Sequence, residues 1–156
     1  MTTQLSLRNA SQNDSRLLWE WANDPIVRAS AFNTEPIPWE DHENWFDKKL
    51  KDPNCFIYIA ELSNEPIGQI RFNCDGQSAN IDIHLAPEAR GKGLGTNLLT
   101  SGIEKIFAES EINEIHSSVK VENAPSSKMF LKTGFSDLGK GIENEQEVYN
   151  YVLKKS

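Results

Sequence analysis

Residues 81–96 read IDIHLAPEARGKGLGT, and this stretch decides the fold. Its first five residues alternate apolar and polar side chains, which is typical of a β-strand. Pro87 ends the alternation, and the basic, glycine-rich residues 90–95 then lead into apolar positions at helical spacing. A strand that turns through glycines into a helix predicts an α/β protein with a ligand site at the junction.

The glycine-rich turn suits an anionic ligand. A helix N-terminus presents unpaired N–H groups and a partial positive charge, and glycines let the backbone curl close to a ligand. Arg90 and Lys92 add positive charge, while Gly93 and Gly95 leave room for phosphate oxygens. An ordinary tight turn with exposed basic side chains fits the same residues at this point. A P-loop and a dinucleotide-binding turn are excluded, because their glycine spacings are absent.

The periodicity of the remaining chain predicts the element order β-α-α-β-β-β-α-β-α-β-β. Ser11 and Asp14 have capping-box spacing before the first helix, and the second helix is expected over residues 39–51. The segment between them, within residues 23–39, is expected to be irregular. Strand-like runs 55–62, 66–73 and 78–85 form two consecutive hairpins, which argue for a mixed sheet with helices on both faces.

Composition limits the protein to a few classes. The 156 residues are the size of one domain, and 16 Lys and Arg against 23 Asp and Glu give a net charge of -7, which argues against a nucleic-acid partner. Cys55 and Cys74 have neither metal-site nor disulfide-framework spacing. No signal peptide or long apolar run is present, so we expect a cytoplasmic protein without a membrane partner.

Two motifs make the chain resemble the GNAT family of N-acetyltransferases. Residues 85–90 (LAPEAR) and 90–95 (RGKGLG) are similar to the family's lead-in and to its [RQ]xxGxG turn. A second signature is matched by Asn123, Ser126, Phe130, Gly134 and Phe135. The element order is also similar along the whole chain. The resemblance implies one acetyl-CoA-dependent N-acetyltransferase domain over residues 1–156, with a mainly antiparallel sheet and a splayed central strand pair.

The resemblance also implies where acetyl-CoA binds. Its pantetheine arm would pair with the backbone of His84, Leu85 and Ala86, and the N–H of Leu85 would stabilise the oxyanion of the reaction. No metal is implied. The remaining cofactor residues by resemblance are Arg90, Gly91, Lys92, Gly93, Leu94, Gly95, Thr96, Asn123, Ser126 and Phe130.

A general base must take a proton from the attacking amine. Strand alternation places Asp82 and His84 on the face towards the first two helices, opposite Leu85. His84 is the first candidate because its ordinary pKa of about 6.5 suits proton uptake near neutrality, with Asp82 to orient it or to relay water. A histidine that is merely packed there fits equally. Phe130 stands where many relatives carry a tyrosine acid, so Ser126, Ser127 or water would replace it, or the thiolate would leave unassisted.

In this family, the segment between the first two helices forms one wall of the acceptor site, and here it is read as residues 21–46. Here it resembles ribosomal-protein-type acetyltransferases and, more closely, acetyltransferases of 4-amino nucleotide sugars in the pseudaminic acid pathway. We therefore expect Phe32, Asn33, Trp39 and His42 to bind the acceptor. A protein N-terminus, another small amine, or a non-catalytic acyl-CoA sensor remain alternatives. The protein is expected to be a monomer or a homodimer.

Overall fold

The structure, a computed structural model, describes residues 5–156. The first half contains strand β1 (Ser6–Asn9), helices α1 (Ser15–Ala22), α2 (Pro25–Ser30) and α3 (Trp39–Lys51), and strands β2 (Cys55–Leu62), β3 (Glu65–Asp75) and β4 (Ser78–Leu85). The second half contains α4 (Leu94–Glu109), β5 (Glu114–Lys120), α5 (Ala124–Lys132), β6 (Ser136–Glu143) and β7 (Gln146–Lys154).

All seven of these strands form one sheet in the order β1-β2-β3-β4-β5-β7-β6. Every neighbouring pair is antiparallel except β4 and β5, which run parallel. That parallel pair is joined only at residues 78–80 and 114–116, so the two strands separate beyond Asn80. The expected mixed, mainly antiparallel sheet with a splayed central pair is confirmed.

Helices cover both faces of the sheet around the splay. On one face, α4 lies so close to β3 that a Cβ on Gly102 would come within 2.5 Å of Ile70 Cδ1. Leu85 lies on this same face, beside Gly95 at the start of α4. On the other face, Trp21 of α1 contacts the ring of His84. His84 and Leu85 therefore point to opposite faces, as strand alternation predicts.

Helix α2 corrects the expectation of an irregular segment. The carboxylate of Asp24 accepts hydrogen bonds from the N–H groups of Ile26 and Val27, and Pro25 occupies the first helical position. Both features start helices, because they satisfy or remove N–H groups that lack an intrahelical partner. Six residues are too few to display a helical period, so the pattern of apolar residues did not reveal this helix.

Three observations bear on the expected chemistry of the chain. Within residues 5–156, no helix combines the length and the apolar character needed to cross a membrane. No group of three or more His, Cys, Asp or Glu side chains in that same range is arranged to hold a metal ion. Cys55 and Cys74 are half-buried free thiols.

Candidate active site

A cleft of about 830 Å³ opens where β4 and β5 separate. Residues 81–85 of β4 and 117–120 of β5 line its two sides, α2 lies along it, and the glycine turn contributes Gly91 and Gly95. Its volume is in the range of small-molecule sites. The splay thus brings the strand, the turn and the second signature to one cavity.

The backbone of β4 presents alternate residues to the cleft. Ala86 donates its N–H to the carbonyl of Ile67 at 2.8 Å, and the next pair in the antiparallel ladder is Gly68 with Leu85. Because such pairs alternate between hydrogen-bonded and non-hydrogen-bonded, the N–H of Leu85 points away from β3 and into the gap. This geometry suits the role predicted for Leu85. The backbone contacts expected of His84 and Ala86 do not fit, because their N–H groups face β3.

The turn into α4 owes its shape to two glycines. Gly91 and Gly93 have φ of 77° and 76°, a left-handed conformation that glycine adopts at little cost. Gly93 directly precedes α4, so the N–H groups of the first turn of α4, from Leu94 onward, have no partner within the helix. Lys92 is exposed, whereas Thr96 is half-buried. The turn therefore retains the backbone geometry expected of an anion site.

The side chain of Arg90 corrects part of the predicted phosphate site. Its Nη2 lies 2.9 Å from Asp24 Oδ2 and donates to the carbonyl of Leu85 at 3.2 Å. Burial raises the pKa of Asp24, but the hydrogen bonds from Arg90 and the α2 backbone outweigh it, and the pKa is lowered. An arginine paired in this way has its charge already compensated. The Arg90 side chain is thus committed to Asp24 and to the Leu85 carbonyl, and Lys92 is an exposed cation of the turn.

Asp82 and His84 come together in the cleft with two residues that the sequence reasoning missed. Gln69 Nε2 donates to Asp82 Oδ2 at 2.9 Å and lies 3.4 Å from His84 Nδ1. Arg71 Nη1 lies 3.5 Å from the same Asp82 oxygen. The register pairs Gln69 with His84 and Arg71 with Asp82, so applying the period-2 alternation to β3 as well would have found them.

The electrostatics of His84 contradict the reason for choosing it as the base. Burial lowers its pKa to about 4, and Arg71 adds to that shift while Asp82 only partly opposes it. With Gln69 donating to Nδ1, the neutral ring carries its proton on Nε2, a buried atom without a partner among residues 5–156. A ring with this pKa is a weak proton acceptor near pH 7. His84 is therefore placed as a hydrogen-bond donor.

Asp82 keeps its negative charge in the cleft. Burial raises its pKa, but Arg71, His84 and Gln69 outweigh that effect, so the pKa is lowered. About half of the side chain, 47%, stays accessible to solvent. Asp82 can therefore attract an ammonium group, and the solvent beside the carboxylate can accept the proton that the ammonium group loses.

Three of the four residues expected to bind the acceptor lie outside the cleft lining. Trp39 packs edge-on against Trp19 at 5.3 Å between ring centroids. The Phe32 carbonyl accepts a hydrogen bond from Gln146, and Asn33 is exposed. The segment folds back onto α1 and onto the start of β7, so these three side chains do not line the cleft.

His42 reaches the cleft lining but is committed elsewhere. Its side chain is 3% exposed, and Nε2 lies 2.8 Å from the carbonyl of Ser15. The ring also stacks against Phe46 at 5.7 Å. Burial lowers its pKa. The ring therefore holds α1 against α3 through Nε2.

A different set of residues, Arg28, Asp41, Trp45 and Arg71, lines the part of the cleft where the acceptor was expected, and we call this part the acceptor wall. The Arg71 guanidinium lies 4.8 Å from the centre of the Trp45 ring, and its buried Nε has no partner among the described residues. Arg28 lines the cleft from α2, where it donates to the carbonyls of Ala22, Asn33 and Glu35. Asp41 lines the same wall. Arg28, Asp41, Trp45 and Arg71 were not among the residues expected to bind the acceptor.

The second signature closes the far side of the cleft. Asn123 caps α5 by accepting from the N–H of Ser126, and it donates to Ser30 of α2. Phe130 is 3% exposed and packs between aromatic rings. Ser126 lines the cleft, whereas Ser127 does not and its hydroxyl is buried without a partner in the described chain. Ser126 is thus the better placed of the two hydroxyls considered as proton donors.

Comparison with known proteins agrees with this geometry. Residues 4–136 match the family model described as "Acetyltransferase (GNAT) domain". Spermidine N(1)-acetyltransferase of Vibrio cholerae is 24% identical over 147 residues, covering 92% of this chain and 85% of that protein. Aminoglycoside N(6')-acetyltransferase type 1 of Klebsiella pneumoniae is 26% identical over 151 residues, covering 86% of this chain and 75% of that protein.

A similar fold is found among solved structures. The crystal structure of the V. cholerae spermidine acetyltransferase, in complex with CoA and spermine, superposes with a TM-score of 0.89 at 23% identity. The match covers 97% of this chain and 96% of the other. At 23% identity, this similarity shows that the two proteins share a fold.

Proposed function

The chain belongs to the acetyltransferase (GNAT) family and is an acetyl-CoA-dependent N-acetyltransferase, and from this premise we propose that its acceptor is an amine carried on an anionic molecule. The best candidate is a 4-amino nucleotide sugar of the pseudaminic acid type. In such a substrate the amine and the diphosphate lie at opposite ends, so the site needs a carboxylate for one and cations for the other.

The charge of the cleft lining carries this proposal. Four cationic side chains line the cleft, Arg28, Arg71, Arg90 and Lys120, against two acidic ones, Asp41 and Asp82, and because Arg90 is paired with Asp24 the remaining excess is one positive charge. A polyamine would meet excess positive charge there, and like charges in an interface select against a partner. A diphosphate suits the planar guanidinium of Arg71, whose Nε is left unpartnered.

Lys120 supports the same conclusion. Its side chain lies in the cleft lining and is 5% exposed, while its Nζ donates to the carbonyl of Ala29 at 3.0 Å. A buried ammonium is stabilised by an anionic partner, because a neutral carbonyl only partly replaces its hydration. A substrate phosphate would supply that partner.

The proposed reaction uses two groups of β4. Asp82 attracts the ammonium form of the acceptor, which loses one proton to solvent before it attacks, and the proton released as the carbon–nitrogen bond forms passes to water beside the carboxylate. The nitrogen bonds to the thioester carbonyl carbon, and the Leu85 N–H stabilises the negative charge that develops on the oxygen. The carbon–sulfur bond then breaks. A thiol of pKa about 8.5 is a good leaving group, so Ser126 or water suffices where Phe130 has no hydroxyl.

A polyamine or aminoglycoside is the second candidate acceptor. Two relatives bear the names of such enzymes, and the net charge of -7 would attract a cation at long range. A basic protein N-terminus would be attracted in the same way. Against these stands the cationic lining of the cleft itself.

The test is CoA release from acetyl-CoA with a panel of amines. The panel contains a UDP-linked 4-amino-4,6-dideoxy sugar, spermidine, kanamycin and basic N-terminal peptides, with the acetylated product identified by mass. The proposal expects turnover with the nucleotide sugar. Turnover with spermidine or the peptides alone would identify those amines as the acceptors and overturn the proposal. Binding of acetyl-CoA with no turnover throughout would favour an acyl-CoA sensor.

A further inference from the structure

We infer that Arg90 is a positioning residue that couples the cofactor turn to the acceptor wall through Asp24. The inference rests on the proposed binding of acetyl-CoA at the turn but not on the identity of the acceptor. It assigns to the first residue of the turn a mechanical role in place of a phosphate contact.

Arg90 and Asp24 form an ion pair that is largely shielded from solvent. Arg90 Nη2 lies 2.9 Å from Asp24 Oδ2, and the two side chains are 26% and 14% exposed. Ion pairs this far from solvent are screened less than surface pairs, and removal of one partner leaves an uncompensated charge. The same Nη2 donates to the Leu85 carbonyl, so Arg90 also holds the end of β4.

Asp24 in turn caps the start of α2. The Oδ2 that contacts Arg90 also accepts from the N–H groups of Ile26 and Val27 at 3.0 and 3.3 Å. These bonds cap α2, which supplies Ile26, Val27 and Arg28 to the cleft lining. One carboxylate oxygen therefore joins the cofactor turn to the first turn of the acceptor wall.

Two hydrogen bonds hold the opposite end of α2. Lys120 donates to the carbonyl of Ala29, and Asn123 donates to Ser30. Helix α2 thus spans the gap between the diverging ends of β4 and β5, with Arg90 attached at its start and Lys120 and Asn123 at its end. Because α2 is only six residues long and has no buried residue, these polar attachments fix its position.

The consequence is a coupling between the two substrates. Acetyl-CoA that orders the backbone of residues 91–96 also orders Arg90, and through Asp24 it orders α2. Coupling between sites is reciprocal, so an acceptor that contacts α2 strengthens the binding of acetyl-CoA by the same factor.

Hydrogen exchange tests this inference without an acceptor. In the wild type, we expect acetyl-CoA to slow exchange at the turn, residues 91–97, and to slow exchange of the α2 amides 27–31 by about tenfold. The Asp24→Asn variant removes the charge but keeps a good N-cap residue, so α2 still forms. In it, acetyl-CoA is expected to bind within about threefold of wild type and to protect the turn, but not α2.

Asp47→Asn is the matched control, because it removes the same charge from an exposed pair with Lys51 on α3. It should behave as the wild type. Equal protection of α2 in Asp24→Asn, or protection of the turn but not of α2 in the wild type, would overturn the coupling alone. A wild type whose turn shows no protection at saturating acetyl-CoA would overturn the cofactor assignment and the coupling with it.

Discussion

Gln69 and His84 lie opposite each other on β3 and β4, with the Gln69 amide nitrogen 3.4 Å from Nδ1 of the imidazole. Because the same nitrogen donates to Asp82 at 2.9 Å, the orientation of the amide is set by that carboxylate. The second hydrogen of the amide is available to His84 Nδ1, and this arrangement assigns the ring proton to Nε2. A glutamine on one strand thus determines what a histidine on the next can do.

The first prediction concerns the titration of His84. Burial lowers its pKa to about 4, so its ring should stay neutral through the pH range in which the enzyme works. NMR of the imidazole resonances, assigned with His84→Gln, should give a midpoint near that value. A midpoint near the ordinary 6.5 would restore His84 as a candidate base.

The second prediction is the effect of His84 on stability. Between pH 6.5 and its lowered pKa, the unfolded state binds a proton that the native state does not, so stability falls as the pH decreases. Urea unfolding at pH 7.5 and pH 5 should show a larger loss for the wild type than for His84→Gln. The lower pH remains above the titration of Asp82, whose pKa is itself lowered. Equal losses in the two proteins would contradict the burial of a neutral imidazole.

The third prediction tests the anion site at the glycine turn. Asn and Asp both tolerate the φ of 76° at Gly93 better than other side chains, but only Asp adds negative charge. Gly93→Asp should weaken acetyl-CoA binding by about a hundredfold or more, because like charges in a binding site cost several kcal/mol. Gly93→Asn should bind within about tenfold of wild type. Calorimetric titration with CoA measures both, and equal losses would point to shape rather than charge.

The fourth prediction concerns the packing of α4 on the sheet. A Cβ at Gly102 would lie 2.5 Å from Ile70 Cδ1, and Ile70 is fully buried. Overpacking of this kind costs about 1–3 kcal/mol, partly offset by the higher helix propensity of alanine. Gly102→Ala should therefore lower the free energy of unfolding. The cost should shrink in an Ile70→Val background, which lacks Cδ1, and an unchanged cost there would refute the contact.

Local signals predicted the part of the fold that positions the cofactor. The alternation of residues 81–85, the break at Pro87 and the glycines of the turn are all visible over a few residues. Helix α2 was missed because its six residues show no period, although the Asp24–Pro25 pair is a helix start.

The catalytic and acceptor residues were harder to predict, because tertiary contacts decide their roles. Arg90 and Asp24 are 66 residues apart in the sequence, and no local pattern indicates that they pair. The pKa of His84 depends on burial and on Arg71, neither of which a strand pattern contains. Trp39 and His42 have the composition of a sugar site but pack between helices instead.

The most direct test of the anionic-acceptor claim holds the reacting amine constant and removes the charge from its carrier. It compares kcat/KM for the UDP-linked 4-amino-4,6-dideoxy sugar with kcat/KM for the same amino sugar without the nucleotide. Lys120 has only a backbone carbonyl as its partner, and Arg71 keeps an unpartnered Nε beside its 3.5 Å contact with Asp82. We therefore predict that loss of the diphosphate lowers kcat/KM by about a hundredfold. Equal kcat/KM for the two acceptors would contradict the account.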